Sequence, residues 1–333
     1  MERLNLGTRG SQLAMFQART VAALLQERAG VACEIHVIKT SGDRLAEAPL
    51  SQVGGKRLFV KEIEDALLSG DVDLAVHSSK DMPAMLPAGL ALGAVLPRED
   101  ARDAVVLPVG RGLAPRQAAR KGPPYDLDEL IRELGRAPKI GTSSIRRTAQ
   151  LTRLFPGAQF LPIRGNLDTR LRKLDAGEYD ALVLAAAGLK RLDHDARISA
   201  LLPPEICVPA PGQGIIAVEV RSDDIRVREI VRTITDPVAA AALSAERAVV
   251  VRLGGGCQMP IGAYGAIVDG ILALTTIVVS VDGSRAARAE ARGPAGEADR
   301  IGAEAADLLM ARGAGDILAE VEQARVTVEG LQP

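Results

Sequence analysis

Three features of this chain are of the kind that does chemistry, and the first is a thiol. Cys257 sits in the run Leu253-Gly254-Gly255-Gly256-Cys257-Gln258-Met259-Pro260-Ile261-Gly262. Three successive glycines open backbone conformations closed to other residues, at an entropic cost, and Pro260 stiffens the exit from the turn. A cysteine uncrowded on one side is suited to carry something bulky. The plainer reading is a glycine-rich corner holding a small apolar residue, because unpaired cysteine is commonly buried and inert. The second feature is a carboxylate. Asp81 stands beside Lys80 at the end of an apolar run, and Pro83 keeps Met82 extended, so Asp81 lies on a fixed turn rather than inside a helix. An isolated Asp is also a common turn residue or helix cap. The third is a cluster of cations, seven Lys or Arg against one acidic residue, Asp168, between Thr142 and Lys173. Hydroxyls and free amides at a helix start bind anions, and guanidinium forks hold carboxylates or phosphates bidentately. A solvated basic helix face accounts well for Arg172 and Lys173. It accounts poorly for Arg146, Arg147 and Arg164, which fall at predicted strand–helix junctions.

Such a cluster wants a ligand with several carboxylates or phosphates, and the rest of the sequence narrows which. At 333 residues the chain has room for two or three domains. Hydrophobic residues make up 47% and charged residues 25%, a globular balance. A formal net charge of −1 creates no overall field for nucleic acid or an anionic membrane. Aromatics at 2%, with no Trp, leave little for stacking bases. Gly54-Gly55-Lys56 lacks the spacing and the following Ser or Thr of a nucleotide-binding loop, and no dinucleotide fingerprint follows the first strand. No apolar stretch reads as a signal peptide or a membrane span. Cysteines at 33, 207 and 257 make neither a disulfide framework nor a zinc spacing, and His36, His77 and His194 are too scattered to suggest a metal site. The expected compartment is a reducing cytoplasm. An organic polyacid fits best.

The elements that position these residues alternate strand and helix. Leu4-Asn5-Leu6-Gly7-Thr8 predicts a strand running into Arg9-Gly10-Ser11, where Ser11 caps a helix to about residue 29 that Gly30 closes. A second strand over 33–38, with Cys33 in the core, a helix over 59–68 and a third strand, Asp73-Leu74-Ala75-Val76-His77, lead to Ser78-Ser79-Lys80-Asp81. This order implies a parallel sheet with helices on both faces. Ligands of such sheets bind beyond the carboxyl ends of the strands, which gathers Arg9, Ser11, Lys80 and Asp81 at one crevice. A Pro-, Gly- and Arg-rich stretch over 108–126 is expected as a surface insertion or linker.

A second pattern follows. It comprises a helix over 128–134, the strand Lys139-Ile140-Gly141, a helix opening with Thr142-Ser143-Ser144-Ile145-Arg146-Arg147 and the strand Phe160-Leu161-Pro162-Ile163. Arg164-Gly165-Asn166 then opens the helix that carries Arg170, and a strand over 180–185 precedes Gly188-Leu189-Lys190-Arg191. Pro209-Ala210-Pro211-Gly212-Gln213-Gly214 reads as a rigid connector recrossing to the first lobe, with a strand over 215–220 and a helix over 223–233. A helix over 237–253 delivers the Gly-Cys turn. Strands over 271–281 and 286–291 joined at Asp282-Gly283, and a helix over 297–312, complete the pattern. The expected fold class is α/β, with two doubly wound lobes joined by two chain crossings, like periplasmic binding proteins, and a small α+β C-terminal domain. The boundaries are 1–98 with 215–233, 99–214, and 235–333.

The runs Gly54-Gly55-Lys56-Arg57-Leu58-Phe59-Val60-Lys61-Glu62, His77-Ser78-Ser79-Lys80-Asp81-Met82-Pro83, Gly141-Thr142-Ser143-Ser144-Ile145-Arg146-Arg147, Arg164-Gly165-Asn166, Gly188-Leu189-Lys190-Arg191 and Gly254-Gly255-Gly256-Cys257-Gln258-Met259-Pro260 together resemble the porphobilinogen deaminase (hydroxymethylbilane synthase) family. The resemblance covers most of 4–100 and 137–265, weakens after about 270 and is absent from 108–126. It implies a transferase of porphyrin and heme biosynthesis, cytoplasmic and monomeric, that needs no metal. It implies a dipyrromethane cofactor held by Cys257 through a thioether, onto which four porphobilinogens are added with loss of ammonia before a linear tetrapyrrole is released by hydrolysis. It implies Asp81 as the catalytic carboxylate, with Arg9, Ser11, Asp43, Lys56, Lys80, Thr142, Ser144, Arg146, Arg147, Arg164, Asn166, Arg170, Arg191 and Gln213 around the acidic side chains. Losing ammonia leaves an electron-poor azafulvene and a developing charge on the pyrrole nitrogen that a fixed carboxylate stabilises.

Gln52 stands where many relatives have a lysine and Arg57 where a glycine is common, both in the loop over the cleft. The alternative is a two-lobed solute-binding protein without catalysis, which leaves Cys257 without a role. Protein made in a cell that produces porphobilinogen is therefore expected to be heavier than its sequence by two linked pyrrole units. Peptide mapping should place them on Cys257, and Cys257→Ser should lack them and be inactive; an adduct on Cys33 or Cys207 would contradict this.

Overall fold

The computed structural model describes residues 3–40, 60–110, 125–255 and 259–330. Asp43, Gln52, Lys56, Arg57, Cys257 and most of the 108–126 stretch lie outside the described residues.

The first lobe is built on β1 (Arg3–Thr8), β2 (Ala32–Val37), β3 (Leu74–Ser78), β4 (Leu90–Val95) and β10 (Ile216–Arg221), in the order β2-β1-β3-β10-β4. The second uses β5 (Asp103–Val106), β6 (Lys139–Gly141), β7 (Gln159–Leu161), β8 (Ala181–Ala185) and β9 (Ala200–Leu202), in the order β7-β6-β8-β5-β9. The two orders are the same topology used twice. In each sheet one strand runs against its neighbours: β10 is antiparallel to β3 and β4, and β5 to β8 and β9. The wholly parallel sheet expected from the βαβ rhythm is thus corrected to a mixed one. The cause is the double crossing. Each reversed strand is the one that has just arrived from the other lobe, so it enters its sheet from the cleft side.

Helices α1 (Gln12–Ala29), α2 (Lys61–Ser69), α3 (Leu127–Leu134), α4 (Ile145–Leu151), α5 (Leu167–Asp175), α6 (Ala186–Arg191) and α7 (Ile225–Arg232) cover these sheets. Their starts follow local chemistry. Ser11, Asp126, Ser144, Asn166 and Asp224 each accept a backbone N–H in the first turn, and Gly30 closes α1 in the left-handed conformation. Leu4, Leu6, Leu25, Leu74 and Val218 fill one face of the first sheet, while Leu130, Ile140, Leu151 and Val183 do so in the second lobe.

The third unit has α8 (Pro237–Arg252), an antiparallel sheet β11-β12-β13 and helices α9 (Ala298–Ala311) and α10 (Ala314–Gly330). Its strands are Ile261–Val268, Ile271–Val279 and Ala286–Pro294. Strands β4, β5, β9 and β11 and helix α10 escape the sequence reading. β5 and β9 are too short to show a period, and glycines at 93, 262 and 265 dilute β4 and β11. Gly262 is required because a side chain there would meet the Val208 carbonyl at 2.8 Å, where β11 passes the connector.

The two crossings lie side by side. Leu96 N–H donates to Ile216 O and Glu99 N–H to Gly214 O, and a Cβ on Gly214 would collide with the Glu99 carbonyl. Fully buried Glu246 of α8 ties both crossings to the third unit. It accepts from Arg98 Nη1 and Nη2 at 2.8 and 2.6 Å, from Gly212 N at 2.7 Å and from Gly265 N at 2.8 Å. Removing one partner of a buried pair strands the other charge. Glu246→Ala should therefore lower the unfolding free energy by about 3–5 kcal/mol, measured by urea denaturation. A loss typical of a surface ion pair would contradict this role.

Candidate active site

Every assigned residue that the structure describes, except Gln213, follows the carboxyl end of a strand, where ligands of open α/β sheets bind. β1 runs into Arg9 and Ser11, and β3 into Lys80 and Asp81; in the other lobe β6 leads to Thr142, Ser144, Arg146 and Arg147, β7 to Arg164, Asn166 and Arg170, and β8 to Arg191. The Asp81 turn is held from three sides. Gln17 of α1 donates to Ser78 Oγ at 2.8 Å, Ser79 N–H donates to Ile215 O at 3.0 Å, and Met82 is extended ahead of Pro83. Asp81 itself ends a single 3-10 turn, Ser79–Asp81, and is exposed.

Across the cleft the helix start differs from the expectation. α4 begins at Ile145, with Ser144 as its cap; Thr142 Oγ1 accepts the Ser144 N–H, and Ser143 Oγ donates to Ile163 O at 2.6 Å. Those hydroxyls are occupied in shaping the turn. Arg146 and Arg147 are buried, and both pair with Asp103, a carboxylate the sequence reading did not single out. Arg146 Nη2 lies 2.8 Å from Asp103 Oδ2, and Arg147 Nη2 lies 2.8 Å from Oδ1. Gln213 donates to Asp103 Oδ1 at 2.9 Å and to Ala101 O at 2.6 Å, which places it in the hinge. Burial alone would raise the Asp103 pKa, but the charges of Arg146 and Arg147 override it and hold the carboxyl well below the usual range.

The remaining residues separate into those near this cluster and those apart from it. Arg170 donates Nε to Gly165 O at 2.8 Å; burial lowers its pKa, the Arg147 charge lowers it further, and Asp81 opposes both. Arg191 donates to the Gly214 carbonyl at 2.7 Å, so it braces the second crossing. Ser11 and Asn166 cap α1 and α5. Cys207 is buried, donates to Asp103 Oδ2 at 3.3 Å, and is pushed up to about 12 chiefly by burial. Cys33 is partly buried and raised to about 11, first by burial and then by Asp73. Neither thiol is poised to react.

A cavity opens where the three units meet. Ser79, Lys80, Ser144, Arg146, Arg247 and Met259 are among the residues that line it, and Met259 lies two positions beyond Cys257. Arg247 also donates to the Ala84 carbonyl at 2.7 Å. Arg146 Nε and Ser79 Oγ are buried with no hydrogen-bond partner among the described residues. Unanswered donors of this kind beside a lysine fit an acidic ligand.

Comparison with known proteins agrees with this chemistry. The family described as "Porphobilinogen deaminase, dipyromethane cofactor binding domain" matches residues 4–229. The porphobilinogen deaminase of Syntrophobacter fumaroxidans is 44% identical over 322 residues, 96% of this chain and 98% of that protein. The chain belongs to the porphobilinogen deaminase family. The Geobacter metallireducens deaminase is also 44% identical, over 98% of both chains. The C-terminal porphobilinogen deaminase domain matches 240–311, further than the motif resemblance reached. Among solved structures, the Bordetella pertussis BvgS VFT2 domain matches 70% of this chain and 86% of that chain, at 18% identity and a TM-score of 0.39. The reading as a binding protein without catalysis is not favoured. Among the described residues, no helix is long and apolar enough to cross a membrane, and no cluster of His, Cys, Asp and Glu could hold a metal ion.

Half-buried Lys80 is a member of this deaminase cleft whose pKa the fold displaces. Burial lowers its pKa to about 8, Asp81 and Asp103 oppose that, and Arg147 and Arg146 add to it. Between about 8 and the ordinary 10.5, the unfolded chain holds a proton that the folded protein has released. Raising pH through that window favours the folded state at this residue. Unfolding free energies measured across it should show this upward contribution in the native protein and lack it in Lys80→Met; identical slopes would contradict the lowered pKa.

Proposed function

We propose that this chain joins four porphobilinogen molecules head to tail on a dipyrromethane primer held by Cys257, and then releases the linear tetrapyrrole by hydrolysis. The observation that carries the reading is the meeting of Lys80 and Asp81 from one lobe with Arg146, Arg147 and Arg170 from the other, in a chain of this family. Each pyrrole ring brings an acetate and a propionate, so a growing chain accumulates negative charge. Arginine suits such a ligand, since its charge persists at any working pH and its fork matches a carboxylate. When bound, the dipyrromethane supplies the ring to which the first substrate is joined and keeps the product attached between additions.

The residues divide the work. Arg146 and Lys80, which line the cavity, would hold acidic groups of the primer, with Arg9, Ser11, Asp43, Lys56, Thr142, Ser144, Arg164 and Asn166 placed around later rings. Gln213 and Arg191 would act through the hinge that they brace. Asp81 is the catalytic residue of this proposal. As ammonia departs from porphobilinogen, positive charge develops on the pyrrole nitrogen, and the Asp81 carboxylate stabilises it and accepts the proton released when the rings join. Its exposure leaves it open to an incoming substrate, and the short turn fixes its position without burying it. Cys257 is the thiol fit for attachment because Cys33 and Cys207 are both held as poor nucleophiles. The division into 1–98 with 215–233, 99–214 and 235–333 gives each lobe one wall of the cleft and the third unit the tether. The enzyme is proposed to work as a cytoplasmic monomer.

Asp81→Asn should fold and load its primer yet lose turnover by about a hundredfold or more. Steady-state rates of porphobilinogen consumption, together with a melting curve, test this. Native turnover in a folded Asp81→Asn enzyme would remove Asp81 from the mechanism.

A further inference from the structure

Asp103 has no part in the reading above, yet five donor contacts converge on it. Its Oδ1 receives Arg147 Nε at 2.9 Å, Arg147 Nη2 at 2.8 Å and Gln213 Nε2 at 2.9 Å; its Oδ2 receives Arg146 Nη2 at 2.8 Å and Cys207 Sγ at 3.3 Å. We infer that Asp103 is a positioning residue for the reaction, setting Arg146 and Arg147 in the arrangement that receives ligand carboxylates before any ligand is present. This rests on the reading that the cleft cations bind acidic pyrroles.

Three observations carry it. Asp103 is fully buried on β5, where its backbone is registered between Ala185 of β8 and Leu202 of β9, so the carboxylate is a fixed point. One oxygen serves each arginine, which sets the spacing between two consecutive guanidiniums rather than merely neutralising one. And the pairing does not use the site up. Two arginines against one aspartate leave a net positive charge, Lys80 adds to it, and Arg146 still has a buried Nε without a partner at the cavity wall. With every strong acceptor direction of Asp103 engaged, the residue has no capacity to take a proton from substrate. Its effect passes through the arginines.

The test compares Asp103→Glu, which keeps the charge but displaces it by one methylene, with Asp103→Asn and Arg147→Gln. Primer occupancy by intact mass, KM, kcat and melting temperature are read for each. Folded Asp103→Glu should load primer incompletely and raise KM for porphobilinogen by about tenfold or more, with a smaller change in kcat. Native loading and KM in Asp103→Glu, with both impaired in Arg147→Gln, would overturn the role of Asp103 alone. Native values in both would overturn the cation reading, and this inference with it. Should neither Asp103 variant fold, side-chain NMR of full-length Cys257→Ser protein decides. A slowly exchanging Arg147 Nε proton without cofactor supports the inference, and exchange as fast as in free arginine overturns it.

Discussion

Two consecutive arginines at the first turn of a helix cannot be enclosed in a protein core without an anion between them. Asp103 is that anion, and much of the second lobe is arranged to bring it there. β5 must run against its neighbours to place Asp103 opposite α4, and it does so because the chain has just crossed from the other lobe. The connector then returns Cys207 and Gln213 to the same carboxylate. Arg146 also donates to Val208 O at 2.6 Å, and Arg147 to Val183 O at 3.0 Å, so each guanidinium is braced by backbone as well as by charge. Uncompensated burial of either group would be far costlier than a surface ion pair is favourable. The cluster therefore ties the second lobe to the hinge.

A second buried carboxylate plays the matching part between units. Glu246 takes two hydrogen bonds from Arg98 and one each from Gly212 and Gly265, which belong to the first crossing, the second crossing and β11. The C-terminal unit is thus fastened to the hinge, and it also packs on the second lobe, where Ile277 and Val279 meet Ala149. Its helix α8 runs from that anchor toward the glycine-rich turn, with Arg247 and Val250 on the cavity wall.

Local chemistry was legible in the sequence wherever it is local in space. The cap Ser11, the extended Met82 before Pro83, and the doubled α/β pattern with its recrossing at about 215 are all written in adjacent residues. Asp103 was not legible, because its partners lie 44, 104 and 110 positions away in Arg147, Cys207 and Gln213. Nor was Glu246, 148 positions from Arg98. An acid at the start of a four-residue strand carries no sign that two arginines will fold onto it. The same limit explains why Arg146 and Arg147 read as ligand-facing groups: spacing shows that they sit at a helix start, and it says nothing of an anion already waiting there. The glycine-bearing β11 was missed for a related reason, since Gly262 answers to Val208, a neighbour only in the fold.

In the proposed mechanism the arginines are held before the ligand arrives and stay held afterwards. A crystal structure of the full-length protein carrying its pyrrole primer tests this most directly. It should show Asp103 Oδ2 still paired with Arg146 and Oδ1 with Arg147, while the remaining guanidinium donors meet carboxylates of the primer. A structure in which either arginine has left Asp103 to follow the ligand would contradict it.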